Sequence, residues 1–464
     1  MATRTLLPCT LTLAALVAAL AMTVTGGGTL ADRGPLYGWY AVDAGLFALA
    51  LALLRRVPGR QVVPLVLAGS VAVAAAGLLA PPRTSDDAYR YVWDGRVQAA
   101  GISPYAHAPD DPALVRLRDA GLFPATDGCS GWDERRTAAG DCTRINRPAV
   151  RTIYPPVAQA WFLAVHPFGG GVRGAQTAGA LLAVATTGVL LVTGRGSRRA
   201  ALWGWCPGIT VWAVNDAHVD TLGALLMTAG LGCAAGRRAG AGGVLLGASV
   251  ATKLLPALAL PGALSGVLSR RPTRNDLVVL GAALGAFAVA YLPYVAVSGP
   301  AVLGYLPGYL REEGYEQGHL DRFGLLRLAV PDGWAPWAAG LVLAAVVLWV
   351  MRRGDPRRPW RGALLVTGTA LLLVAPAYPW YGLLVVAMVA LDGAWEWLAV
   401  PAAGQVLYLV GGEVAQQAAY GAALACVLLV PLLHGPVRSR RGPAAPTSGS
   451  GTAGTGRPVL RGRR

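Results

Sequence analysis

Charged residues are scarce in this chain. They make up 14% of it, against about 25% in a water-soluble domain, and that deficit excludes an ordinary soluble fold. Acids are the rarer sign, 24 against 40 basic residues. Lysine is all but missing: Lys253 is the only one, and every other basic residue is arginine. Histidine is sparse as well, five in all.

What fills the chain is apolar, 54% of residues at a mean hydropathy of +0.48. A bilayer core of about 30 Å takes roughly 20 apolar residues per helical crossing. Runs of that kind recur at 10–25, 37–54, 61–80, 174–193, 277–297, 335–351 and 417–433. The fold class expected is therefore an all-α polytopic membrane protein. The formal charge of +16 does not point to nucleic acid, because the arginines sit in short clusters between apolar runs. The clusters are Arg55, Arg56 and Arg60; Arg195, Arg198 and Arg199; Arg237 and Arg238; Arg270, Arg271 and Arg274; Arg352, Arg353, Arg357 and Arg358. This is the positive-inside pattern, and it predicts that these loops and both termini are cytoplasmic. The N-terminal run reads as an uncleaved first span. The basic, Gly-, Ser- and Pro-rich stretch 437–464 reads as a disordered tail behind a transmembrane domain covering 1–436.

Three crossings from a cytoplasmic start place the longest polar stretch, 81–153, outside. Its ten arginines balance ten acids. Cys129 and Cys142 fall within it and suit a disulfide in an oxidising compartment, while the other four cysteines lie in apolar segments. A second outer loop is expected at 298–334. Keeping every arginine cluster inside forces short or re-entrant pieces at 155–168, 241–268 and 401–411, the second broken near Lys253 and Pro256. The count becomes about 11 to 14 crossings. Broken helices in a membrane normally line a cavity.

The densest polar cluster runs from Thr84 to Arg96. Asp86, Arg90 and Asp94 share a helical face at spacing four, with Asp87 close by. Acids just outside a span, with Tyr89, Tyr91 and Trp93 around them, suit a general base; the alternative is an ordinary helix N-cap at Ser85 and Asp86. Asp216, His218 and Asp220 lie between two apolar runs, where polar groups are functional candidates by default. A loop turn is the competing reading. Two acids and one imidazole make a thin metal site. Lys253, deep in an apolar stretch, calls for a partner for its charge, and a phosphate is a natural one; snorkelling to the interface is the alternative. Tyr378, Trp380 and Tyr381 close a span, either as a binding group or as part of an aromatic belt.

Taken in order, the segments Asp87-Ala-Tyr-Arg-Tyr-Val-Trp-Asp-Gly95, Gly101-Ile-Ser-Pro-Tyr105, Ile153-Tyr-Pro-Pro156, Asn215 to Asp220, Ala251-Thr-Lys-Leu-Leu-Pro256 and Tyr378-Pro-Trp-Tyr381 resemble the GT-C superfamily of polyprenyl-phosphate-sugar-dependent glycosyltransferases. The likeness is nearest to bacterial polyprenyl-phosphomannose-dependent mannosyltransferases and covers about 300 residues. It implies a GT-C-like helical bundle with a large extracytoplasmic loop, and a role in cell-envelope biosynthesis. It implies Asp87, with Asp86 beside it, as catalytic base. One departure is that the acid commonly follows the first span in that family and here follows the third, as though two spans had been added in front. Lys253, with Arg322 or His319, is then expected on the donor phosphate. Tyr89, Arg90, Asp94, Tyr105, Tyr154, Asp216, His218, Asp220, Tyr378, Trp380 and Tyr381 are expected around the substrates. No cofactor is required by this chemistry, though a divalent metal is permitted. The partners implied are a lipid-linked sugar donor, a glycolipid or glycan acceptor and the bilayer. Related readings are a transferase using polyprenyl-phospho-arabinofuranose or -glucose, and a lipid-linked-sugar flippase. A flippase would be favoured by inverted repeats, and the sequence shows none.

Overall fold

The computed structural model of the protein describes residues 2–125, 128–169, 171–193, 196–312 and 322–434. In lipid each backbone N–H and C=O must be paired within its own segment, so the apolar runs fold as helices. Numbering those of seven residues or more, α1 is Ala2–Gly26, α2 Gly34–Leu54, α3 Gly59–Ala76, α4 Asp87–Ala99, α5 Pro156–Val165 and α6 Val172–Thr193. After a π-helical stretch at Ile209–Asn215 come α7 Asp220–Ala235, α8 Ala239–Thr252, α9 Arg274–Ser298, α10 Leu306–Glu312, α11 Ala335–Arg353, α12 Pro359–Val374, α13 Leu383–Asp392, α14 Ala399–Val410 and α15 Glu413–His434.

Seven of these among the described residues, α1, α2, α3, α6, α9, α11 and α15, are long and apolar enough to cross a bilayer. They are the seven runs that hydropathy picks out, and the chain is a predominantly helical membrane protein. An eighth span exists if the π-helical stretch and α7, bent by 109° to one another, are one broken crossing. Length and apolarity therefore support seven or eight of the 11 to 14 crossings expected. The remaining apolar helices have 10–17 residues, and at 1.5 Å per residue most fall well short of the hydrocarbon thickness. The residues from 435 onward, including the expected tail, lie outside the described residues.

Two breaks matter for the site. At the C-terminus of α8, Lys253 is extended (φ −157°, ψ 140°), and Pro256, which has no N–H, opens a short 3-10 turn at Leu255–Ala259. The apolar stretch 241–268 is thus broken where the sequence suggests. Between the π-helical stretch and α7, buried side chains take over the backbone pairing. The Asn215 amide donates to the carbonyls of Gly77, Ala80 and Pro81 at 3.0–3.2 Å. Gln176 donates to Ala80 and Asn215 carbonyls at 2.9 and 2.8 Å. Side chains thereby satisfy the carbonyls at the exit from α3.

The arginine-bearing loops meet one another. Arg198 donates to the Leu54 carbonyl at 3.2 Å, and Ser269 Oγ donates to the Arg352 carbonyl at 2.5 Å. The polar stretch 81–153 carries a small core of its own. Tyr89, Trp93 and Val97, at spacing four along α4, pack on Leu114, Leu122 and Ile145. A two-stranded ribbon pairs Arg135 with Thr143 and Arg136 with Cys142. Cys142 is disulfide-bonded to Cys129.

Candidate active site

Asp86 stands at the N-cap of α4 and Asp87 is its first residue. The Asp86 side chain makes no capping bond; the Ser85 hydroxyl instead accepts from the Asp87 N–H at 3.3 Å. The capping reading of Asp86 therefore fails, and its carboxylate is used elsewhere. What fixes the turn ahead of α4 is Asp216. Its Oδ1 accepts the backbone N–H groups of Arg83, Thr84 and Ser85 at 3.1–3.2 Å, and its Oδ2 accepts from the Thr84 hydroxyl. Tyr408 donates its hydroxyl to the Thr84 carbonyl.

The two carboxylates are joined by one amide. Asn146 Nδ2 donates to Asp87 Oδ1 at 2.6 Å and to Asp86 Oδ1 at 3.0 Å. Arg135, held on the disulfide-closed ribbon, ion-pairs with Asp86 Oδ2. Asp87 Oδ2 accepts from the Tyr91 hydroxyl at 3.4 Å and lies 3.4 Å from His218 Nδ1. That imidazole is fully buried, stacked on Trp380 with ring centroids 3.9 Å apart.

These surroundings split the pair electrostatically. Burial pushes Asp86 up, and the Asp87 charge adds to that; Arg135 and Asn146 oppose without prevailing. Burial also raises Asp87, but His218, the Lys253 charge and the Asn146 hydrogen bond together outweigh it and hold that carboxyl at about 2. Of the two, Asp87 is the carboxylate whose charged form its surroundings favour.

Asp86 and Asp87 line a cavity of about 990 Å³. Lys253, Arg322, Tyr154, Tyr378, Trp380 and Tyr381 line it too, as does Arg90. Each of three cations lies over a ring. Lys253 Nζ is 4.6 Å from the Tyr381 centroid, Arg322 is 5.6 Å from Tyr378, and Arg147 is 5.6 Å from Tyr309. The cavity continues between apolar side chains of Leu254, Leu258, Leu343, Leu371 and Val374. Lys253 already has a protein partner: its Nζ bonds Asp220 Oδ2 at 2.7 Å. The offset that its burial calls for is thus supplied by Asp220, which is 1% exposed.

Several expected substrate contacts do other work. Tyr89 belongs to the small core and donates to Asp133 at 2.9 Å. Asp94 is locked in a buried network with Arg90 at 3.0 Å, Thr152 at 2.6 Å and Gln159 at 2.9 Å. Tyr105 donates to the Tyr154 carbonyl at 2.7 Å and so places Tyr154 rather than a ligand. Asp216 and Asp220 do not converge, since one holds the 83–85 turn and the other holds Lys253. None of Tyr89, Asp94, Tyr105, Asp216, His218 and Asp220 lines the large cavity. His319 lies outside the described residues. Among those residues the one cluster of metal-type ligands is Cys129, Glu134 and Cys142, and its two sulfurs are consumed by the disulfide.

No family model, no curated protein and no solved structure matches the chain.

Sequence reasoning missed Asn146, Arg135 and Arg147. They are 48–61 residues beyond the acids in an aperiodic loop, where spacing carries no signal. The balance of ten arginines against ten acids within that loop was the one available hint.

Proposed function

We propose that the protein transfers a sugar, in first place mannose, from a polyprenyl-phosphate donor to a glycolipid or glycan acceptor at the outer face of the membrane. The observation that carries this reading is the composition of one cavity. An ionised carboxylate, Asp87, shares it with Lys253, Arg322 and Arg147, and its walls pass from aromatic to aliphatic. A donor that is part sugar, part phosphate and part hydrocarbon matches that succession. The ordered motifs resembling GT-C glycosyltransferases agree with it.

In the proposed reaction the acceptor hydroxyl oxygen attacks the anomeric carbon as the bond from that carbon to the phosphate oxygen breaks. Configuration inverts, the hydroxyl proton passes to Asp87, and the polyprenyl phosphate departs carrying the electron pair. Lys253 and Arg322 oppose the charge gathering on the departing phosphate. Asp86, tied to Arg135, holds Asn146 and through it Asp87.

The test is incubation of the purified full chain with radiolabelled polyprenyl-phosphomannose and membrane glycolipid. Sugar should move to the acceptor, and Asp87→Asn should lower the rate by about 10³-fold or more at unchanged expression. Asp87→Asn with retained activity rejects the base. Failure of the wild type with mannose, arabinofuranose and glucose donors alike rejects the enzyme.

A further inference from the structure

The protein has a second cavity, about 980 Å³, which the proposed reaction does not use. It runs along α2 from Tyr37 to Arg55, about 27 Å at the helical rise, close to the full thickness of a bilayer core. Ala41, Ala44, Ala48 and Ala52 form its floor on α2. Only 17% of the α2 span is buried in the protein, so the cavity lies on a helix that faces lipid. One polar side chain, Gln405, enters the middle. It accepts from Trp212 Nε1 at 2.8 Å, while its Nε2 is buried without a partner among the described residues.

The two ends differ. Tyr37 and Tyr40 line one; Arg55, Arg198, Arg199 and Glu396 line the other. Arg198 is engaged with the Leu54 and Val57 carbonyls. The side chains of Arg55 and Arg199 form no hydrogen bond or ion pair with any described residue. Arg199 lies against Gly393 at this mouth, where φ is +92° and a Cβ would stand 2.8 Å from Arg199 Nε. An apolar channel with unpaired guanidinium groups at one end is complementary to a hydrocarbon chain with an anionic head. Glu396 adds an acceptor for a head group that carries hydroxyls.

We infer that this cavity is a binding site for an anionic phospholipid with a hydroxyl-bearing head group, of the phosphatidylglycerol type, its phosphate on Arg55 and Arg199. A polyprenyl monophosphate has no alcohol hydroxyl to offer Glu396 and is the occupant the experiment must separate.

The experiment is native mass spectrometry of the full chain, released from detergent with phosphatidylglycerol, phosphatidylcholine of the same acyl chains, or polyprenyl phosphate. The expected result is one phosphatidylglycerol retained over phosphatidylcholine by on the order of tenfold. R55Q/R199Q should lose that preference, and Ala48→Phe should lower retention of both lipids by filling the floor. Equal retention of the two phospholipids by the wild type overturns the site, as does an undiminished preference in R55Q/R199Q. Displacement of phosphatidylglycerol by an equimolar amount of polyprenyl phosphate overturns the assigned occupant. None of these readouts depends on sugar transfer.

Discussion

Asn146 serves two carboxylates with one amide, and its loss separates their roles. Asp87 is held at about 2 partly by this donor. An Asn146→Ala variant loses a bond to the ionised form, so the Asp87 pKa rises. The sign follows directly: activity needing the carboxylate is lost at a higher pH than in the wild type. The acidic limb of kcat/KM should move upward by about one unit; an unmoved limb would detach Asn146 from Asp87. The stability that Asp87 lends, present above its unfolded value and lost as pH falls through about 2, shrinks in the same variant. Lys253 poses a different problem, because Asp220 is buried against it. Lys253→Ala strands that carboxylate and should cost about 3–5 kcal/mol of stability. Lys253→Gln combined with Asp220→Asn removes both charges at much lower cost. If Lys253 acts on the donor phosphate, the double variant should remain near the wild type in melting temperature while losing transfer. A destabilised but fully active double variant would assign Lys253 to structure alone.

At the scale of elements, α8 is the piece whose placement decides where Lys253 ends up. It packs on α9 through Gly243 and Gly247, small residues at spacing four that let two helix backbones approach. A Cβ on Gly247 would lie 2.1 Å from the Ala283 carbonyl oxygen, and one on Gly243 would lie 2.4 Å from that of Val279. Gly247→Leu should therefore push the helices apart, at about 1–3 kcal/mol, and displace the α8 terminus that carries Lys253. The expected outcome is a lower melting temperature together with weaker donor binding. Unaltered binding in a folded variant would show that the Lys253 position is set from the Leu255–Ala259 side. Packing assigns the faces of α4: the Tyr89 stripe is core, and Arg90 and Asp94 form a buried pair. Spacing alone leaves those two faces equivalent, so it could not separate Tyr89 and Asp94, which the resemblance had put around the substrates, from the residues that line the cavity.

For the molecule as a whole, the testable matter is which end of the bundle faces outward. The arginine loops meet one another, and the positive-inside rule predicts that they are cytoplasmic. A single cysteine at exposed Arg116 should then react with a membrane-impermeant maleimide in intact cells, whereas one at exposed Arg56 should react only after lysis. The reverse pattern would invert the topology and move the carboxylate cavity to the cytoplasmic side. Helix, span and break are legible in the sequence because each depends on a local quantity: apolar length, arginine clustering, or a proline that cannot pair its backbone. Seven long spans and the interruption at Lys253 follow from such quantities. The cavity does not. Asp87 meets Asn146 across 59 residues, and Lys253 meets Asp220 across 33. Only packing brings such groups together, since a carboxylate in an apolar surround takes whichever donor the folded chain presents to it. The sequence by itself determined that this chain lies in a membrane and where its polar residues cluster. Tertiary structure decided which of those residues share a chamber, and which are spent on satisfying backbone and buried charge.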